Sequence, residues 1–301
     1  MVHGSLGALE LVNLTPLMER SSGRPEVLIG LIDGPVAFKH PELNANNIRE
    51  VRGDRPGYCS RGSSLACTHG TFVAGILCGK RGSTAPAIAP NCTLLVRPIF
   101  AESEVSNRQM LNGEMPSATP EELSAAIVET IDSGARVLNL SAALEQPSAK
   151  GERALEQALD HAARKGVLVA AAAGNQGTVG SSAITRHPWV LPVIACDQQG
   201  RPTPESNLGS SVGRRGLGAP GTNIRSLGTD GQPRSFGGTS AATPFVTGTI
   251  ALLWSEFFSA TASEIKAAIA RAYHGRPRTI VPPILNAWAA YGVLSVGHVR
   301  E

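Results

Sequence analysis

Five short apolar runs limit what this chain can become. They lie at 27–32, 93–99, 136–141, 167–172 and 190–195. Each reads as a strand, and 27–32, wholly apolar before Asp33-Gly34-Pro35, reads as a buried one followed by a sharp turn. Helical patterns separate them. Thr119-Pro120-Glu121-Glu122 is a helix start, with an N-cap, proline in the first turn and acids at the dipole's positive end. That helix runs to Ser133 with Gly134 as its cap, and another spans about 150–165 before Gly166. Further helices are predicted from His69 to Gly79, from about Ser240 to Phe257, and over 261–272, with 285–294 a short helix or strand. Residues 43–68, 101–119 and 198–238 read as loops, with a short strand near Val51 and strand-like pieces in the last. Strands alternating with helices predict an α/β fold: a doubly wound, mostly parallel sheet with helices on both faces. With 301 residues and no linker or repeat, one domain is expected, its core about 25–255 and a helical segment at 256–301.

Composition narrows function more than fold. Only 17% of residues are charged and 4% aromatic, against 42% hydrophobic. A coiled coil, a disordered chain and an aromatic platform for RNA or sugar are excluded. A net charge of +3 is too small to indicate nucleic acid. No apolar stretch approaches the roughly 20 residues of a membrane span, and no leader pattern is visible, so a cytoplasmic protein without a membrane partner is expected. Cys59, Cys67, Cys78, Cys92 and Cys196 form no metal spacing, and their dispersal favours reduced thiols. Cys59 and Cys67 flank a short Gly/Ser-rich loop and could close a disulfide.

In a doubly wound sheet, chemistry gathers where strands end. Asp33 ends an apolar strand, where a carboxylate needs a partner such as an imidazole N–H. His69 opens a helix pattern. Ser240 follows Gly237-Gly238-Thr239 at a helix start, where unpaired N–H groups would stabilise an oxyanion. Asn175 follows Ala171-Ala172-Ala173-Gly174 and could donate from its side-chain amide. Each has a bland reading: a turn cap for Asp33, a structural histidine, an ordinary serine N-cap, a left-handed asparagine. Together, in the order Asp, His, Ser, they suggest a triad.

These blocks resemble the subtilisin-like serine proteases, the subtilases. Leu31-Ile32-Asp33-Gly34-Pro35, His69-Gly70-Thr71-Phe72-Val73-Ala74-Gly75, Ala172-Ala173-Gly174-Asn175 and Gly238-Thr239-Ser240-Ala241-Ala242-Thr243-Pro244 stand in the family's order and spacing. The resemblance implies Ser240 as nucleophile, His69 as base, Asp33 as its orienter and Asn175 as oxyanion donor. It also implies a substrate strand added beside 138–142, with Ser141, Ala142 and Ala143 on one wall of the first specificity pocket and Ala171 to Gly174, including Ala173, on the other. No charge stands in these walls, so an uncharged pocket is expected. Glu145, just beyond, reads as a solvated loop charge.

Gly34-Pro35 in the Asp block, and the run Ser206-Asn207-Leu208-Gly209-Ser210-Ser211, resemble the branch that matures cyanobactins. Members of that branch cut ribosomally made precursor peptides, and some macrocyclise the product. The macrocyclising forms carry a helical insertion between the Asp and His blocks. Here 36 residues separate Asp33 from His69, too few to hold it, so hydrolysis is expected. The family's calcium loop corresponds to Gly79-Lys80-Arg81-Gly82-Ser83-Thr84, which has two cations and no carboxylate; no metal and no cofactor are expected. The expected partner is a peptide substrate. The alternatives are a general degradative subtilase, a macrocyclase and a silent peptide-binding module. A nucleotide-binding protein is disfavoured because no GxGxxG or Walker pattern stands at a strand–helix turn.

Overall fold

The computed structural model describes residues 3–102, 118–141, 151–273 and 279–298. Seven strands form one parallel sheet: β1 (Leu28–Asp33), β2 (Ile48–Glu50), β3 (Thr93–Pro98), β4 (Val137–Leu140), β5 (Leu168–Ala172), β6 (Val190–Cys196) and β7 (Leu217–Pro220). Their spatial order is β2-β3-β1-β4-β5-β6-β7. From β1 the chain crosses to the edge strand β2, fills in β3 between them, and then restarts at β4 on the other side of β1. Asp33 therefore ends the strand at which the winding reverses, beside β3 (Asp33 opposite Pro98) and β4 (Ile32 opposite Leu140).

Alternate residues of each strand feed two apolar layers. Ile29, Leu31, Val137 and Leu168 face a layer shared with helices α3 (Leu65–Cys78) and α8 (Thr239–Glu256). Ile32, Leu138, Leu140 and Val169 face the other layer, with α4 (Pro120–Asp132) and α5 (Glu152–Lys165). Fully burying one such aliphatic side chain contributes about 1.5–3 kcal/mol. Helix α8 is buried almost all round, so its polar residues must satisfy themselves. The hydroxyls of Thr243, Thr249 and Ser255 donate to the carbonyls of Thr239, Phe245 and Ala251, at 2.7, 2.8 and 2.8 Å.

Two N-terminal helices, α1 (His3–Leu11) and α2 (Thr15–Arg20), were not evident from the sequence. They and the turn between them carry buried Leu9, Val12, Leu14 and Leu17 into the first layer. The rest comprises α6 (Ala183–Arg186), α7 (Ser210–Arg215), α9 (Ala262–Arg271), α10 (Ala287–His298) and a hairpin of β8 (Ile224–Ser226) with β9 (Arg234–Phe236). The segment at 285–294 resolves as the helix α10.

Two expectations change. Helix α3 begins four residues before His69, because Ser64 caps it by accepting from the Cys67 N–H at 3.1 Å. Cys59 and Cys67 are joined in a disulfide, whereas Cys78, Cys92 and Cys196 are free and buried. The predicted loop at 101–119 falls largely outside the described residues. No helix among the described residues is long and apolar enough to cross a membrane.

Candidate active site

Helix α3 lies very close to the turn after β1. A Cβ on Gly70 would overlap the carbonyl oxygens of Gly34 and Pro35, and one on Gly34 would overlap that of Ala66. Only hydrogen at both positions allows this approach, and the approach is what brings His69 to Asp33. His69 Nδ1 lies 2.7 Å from Asp33 Oδ1, which also accepts the Gly34 N–H at 2.6 Å. Asp33 is wholly buried and His69 nearly so. A carboxylate on one ring nitrogen fixes the proton there, leaving Nε2 as an acceptor. His69 Nε2 lies 3.1 Å from Ser240 Oγ.

Ser240 is the second residue of α8, whose N-cap, Gly238, has φ +91° and offers no capping side chain. First-turn N–H groups have no intrahelical acceptor, so the Ser240 N–H faces outward beside its own hydroxyl. Asn175 stands across from it. Its Oδ1 accepts from the Thr239 N–H at 2.9 Å and the Thr239 hydroxyl at 3.1 Å. That bonding assigns Nδ2 to the opposite side of the amide, free to donate into the cleft. The geometry thus gathers all four residues singled out in the sequence: an acid, an imidazole, a hydroxyl and an amide donor.

Two supporting residues carried no such signal. Thr239 holds Asn175 as described and accepts the Gly174 N–H at 3.3 Å. Asn207 holds the loop after β5. Its Oδ1 accepts from the Gln176 and Thr178 N–H groups at 3.0 and 3.1 Å, and its Nδ2 donates to Ala173 O at 3.2 Å. Asn207 was visible only as part of a sequence run, because its partners lie some thirty residues away.

Among the expected wall residues, Ala173 and Gly174 follow β5 beside the cleft, both buried. Ala171 packs into the core layer beneath α4 and α5. Ser141 is buried and its hydroxyl accepts from Asn139 Nδ2 at 2.7 Å. Asn139 Oδ1 in turn accepts from Thr247 Oγ1 at 2.9 Å, tying β4 to α8. Ala142, Ala143 and Glu145 lie outside the described residues. Phe72, three residues after His69, is fully buried edge-on to Phe236 at 4.9 Å.

The loop preceding α3 is pinned by Glu102. Burial alone would raise its carboxyl, but the Ser60, Arg61 and Ser64 hydrogen bonds prevail and hold it below the usual range. Cys59, Cys67 and Glu102 also bring potential metal-donor atoms within 4.8 Å of one another. The two sulfurs are bonded to each other, so they offer no thiolate to a metal. In the loop after α3, Arg81 donates to the carbonyls of Met18, Ser21 and Ile88, and Lys80 Nζ to that of Pro41. Those oxygens already face cations of the chain itself, so the donor set does not fit calcium.

An acid–imidazole–hydroxyl line at the C-terminal edge of a parallel sheet, in the order Asp, His, Ser, defines a class of serine hydrolases. The subtilase family model matches residues 24–285, and the chain belongs to that family. The thermostable alkaline protease of Halalkalibacterium halodurans is 29% identical over 242 residues, which cover 80% of this chain. That match spans 60% of the relative's length. Among solved structures, a mutant of the protease domain of PatA superposes with a TM-score of 0.82 at 28% identity, covering 91% of this chain and 97% of that one. The prenylagaramide maturation protease PagA gives 0.78 at 28% identity, covering 93% and 98%.

Proposed function

We propose that the chain is a serine endopeptidase that hydrolyses a ribosomally made precursor peptide. The hydrogen-bonded line from Asp33 through His69 to Ser240 carries the reading. Ser240 Oγ attacks the scissile carbonyl carbon while His69 Nε2 takes the hydroxyl proton. Asp33 stays ionised, holding the imidazole's tautomer and stabilising the imidazolium. The resulting oxyanion accepts from Asn175 Nδ2 and the Ser240 N–H. The C–N bond then breaks, and His69 returns the proton to the leaving amine. Water, deprotonated by His69, attacks the Ser240 ester; the ester C–O bond breaks and Ser240 Oγ recovers its proton.

Ser141, Ala173 and Gly174 line the first specificity pocket, which carries no charge. The likeness to PatA and PagA supports a precursor peptide as substrate, since PagA is a prenylagaramide maturation protease. A ribosomal product is met where it is made, so the same reading places the chain in the cytoplasm.

The test uses a fluorophosphonate probe and two substrates. The wild-type chain is expected to label, and Ser240→Ala to lose labelling entirely. Unchanged labelling of Ser240→Ala would overturn the nucleophile. A processing enzyme leaves casein nearly intact while cutting selected members of a peptide library. Rapid, unselective casein digestion would replace it with a degradative role.

A further inference from the structure

Away from the cleft, α7 and α9 close over the opposite edge of the sheet. A cavity of about 230 Å³ lies between them. Leu191, the second residue of β6, and Leu217, the first of β7, place it at the N-terminal ends of the strands. The catalytic residues stand at the C-terminal ends. At about 3.3 Å per residue, the length of β6 puts roughly 20 Å between the two sites.

The lining divides in two. Leu191, Leu217 and Ile269 supply an apolar floor, and Arg214, Arg215 and Lys266 supply cations. No carboxylate lines the cavity. Among the described residues, none of the three cations forms an ion pair. Each is bonded only to neutral carbonyls. Lys266 Nζ donates to Pro188 O at 2.7 Å and Trp189 O at 3.0 Å, and sits 4.7 Å over the Trp189 ring. Arg215 Nη2 donates to Thr185 O and Arg186 O at 3.1 and 2.9 Å. Arg214 Nε reaches Ser210 O at 3.3 Å.

Arg215 Nε is buried with no acceptor among the described residues. A buried N–H on a cation lacks what water would have given it, and a bound acceptor would restore that. Like charges gathered without a counter-charge repel one another, and Arg214 and Arg215 bear on the same small space. Burial, and then the charge of Arg215, pull Lys266 down to about 8. All three conditions are relieved by one ligand, an anion. The apolar side chains beside the cations suit an anion that carries a hydrocarbon body.

We propose that this cavity is a binding site for an apolar carboxylate, its hydrocarbon on Leu217 and Ile269 and its carboxylate between Lys266 and the two arginines. Two sources share that chemistry: a free small acid, or the C-terminal residue of a peptide. The site does not depend on proteolysis, and its readout is binding.

Titration calorimetry on the full chain carrying Ser240→Ala, so that no peptide is consumed, tests it. The probes are 4-phenylbutyrate, 4-phenylbutyramide, and a hexapeptide ending in leucine as free acid and as amide. Saturable binding of the acids is expected, with the amides at least about tenfold weaker and the affinity of the acids falling as salt rises. Tighter binding of the peptide acid identifies a chain end as the ligand; tighter phenylbutyrate identifies a free acid. Ala270→Trp, at an exposed position on α9 that lines the cavity, is expected to abolish binding by filling it. Arg214→Gln, also exposed, should weaken the acids several-fold without affecting the amides. Equal affinity for acid and amide, absence of saturable binding, or undiminished binding by Ala270→Trp would each overturn the proposal.

Discussion

Asn175 is exposed, and nothing intrinsic to an exposed asparagine makes it point one way. Two neighbours give it direction. Thr239 occupies Oδ1, and Asn207 clamps the backbone on both sides of it, at Ala173, Gln176 and Thr178. Asn207→Ala removes the clamp without touching any reacting atom. It is expected to lower kcat by about 10–10² while leaving KM near its wild-type value, approaching the loss of about 10²–10³ expected for removing an oxyanion donor. In the double variant with Asn175→Ala the losses should be far from additive, because Asn207 acts through Asn175. Steady-state kinetics of the four proteins decide; additive losses would assign Asn207 a role of its own. The four residues that the fold gathers were legible in the sequence because each sits in a short block of unusual chemistry. Thr239 and Asn207 were not, because an orienting role exists only in contacts that folding brings together.

Helices and strands show the same division between local and distant causes. The strands β1, β3, β4, β5 and β6 were legible because runs buried on both faces leave a mostly apolar record. The seventh, Leu217-Gly218-Ala219-Pro220, was read only as a fragment in a Gly/Ser/Pro-rich loop. It is short, it contains glycine and proline, and beyond β6 its other side is held only by a single bridge from Gly218 to Ile284, far along the chain. Helix α4 was placed correctly by its own capping box, in which Thr119 and Glu122 bond each other's backbone N–H. Helix α2 lacks a side-chain cap and is held from outside. Arg81, from the loop after α3, donates to Met18 O and to Ser21 O, and reaches Ile88 O at 3.1 Å. One guanidinium thus joins α2 to two stretches of chain beyond α3. Arg81→Ala is expected to cost about 2 kcal/mol from charge-assisted hydrogen bonds, lowering Tm by about 3 °C in a chain of 301 residues. EDTA should leave the wild-type Tm unchanged, since the chain's own cations hold these carbonyls. Differential scanning calorimetry checks both, and an EDTA-induced drop of many degrees would show that a metal is bound after all.

At the scale of the whole molecule, the small-residue, low-charge interior has a consequence for pH. The described core holds three free thiols. Burial pushes the Cys92 thiol up to about 11 and Cys196 up to about 12, and raises Cys78 well above its ordinary value. Each thiol ionises near pH 8.5–9 once unfolded but stays protonated in the fold. Above that pH the folded state holds the extra protons, so stability falls as pH rises. Lys266 acts oppositely. Its folded value of about 8 lies below the roughly 10.4 of an unfolded lysine, so between those values the unfolded state holds the extra proton and stability rises with pH. From about pH 9 to 10.4 three thiols oppose one ammonium. The three thiols outweigh one partly solvated ammonium, so stability is expected to fall across this window. Melting curves from pH 7 to 11 are expected to be nearly flat to about pH 8.5 and to fall steeply beyond it. Cys196→Ala should make the fall shallower, while Lys266→Met should make it steeper by removing the one opposing group. If Lys266→Met instead flattened the alkaline limb, the lysine would be charged and stabilising in the fold, and its lowering by burial and by the charge of Arg215 would be wrong.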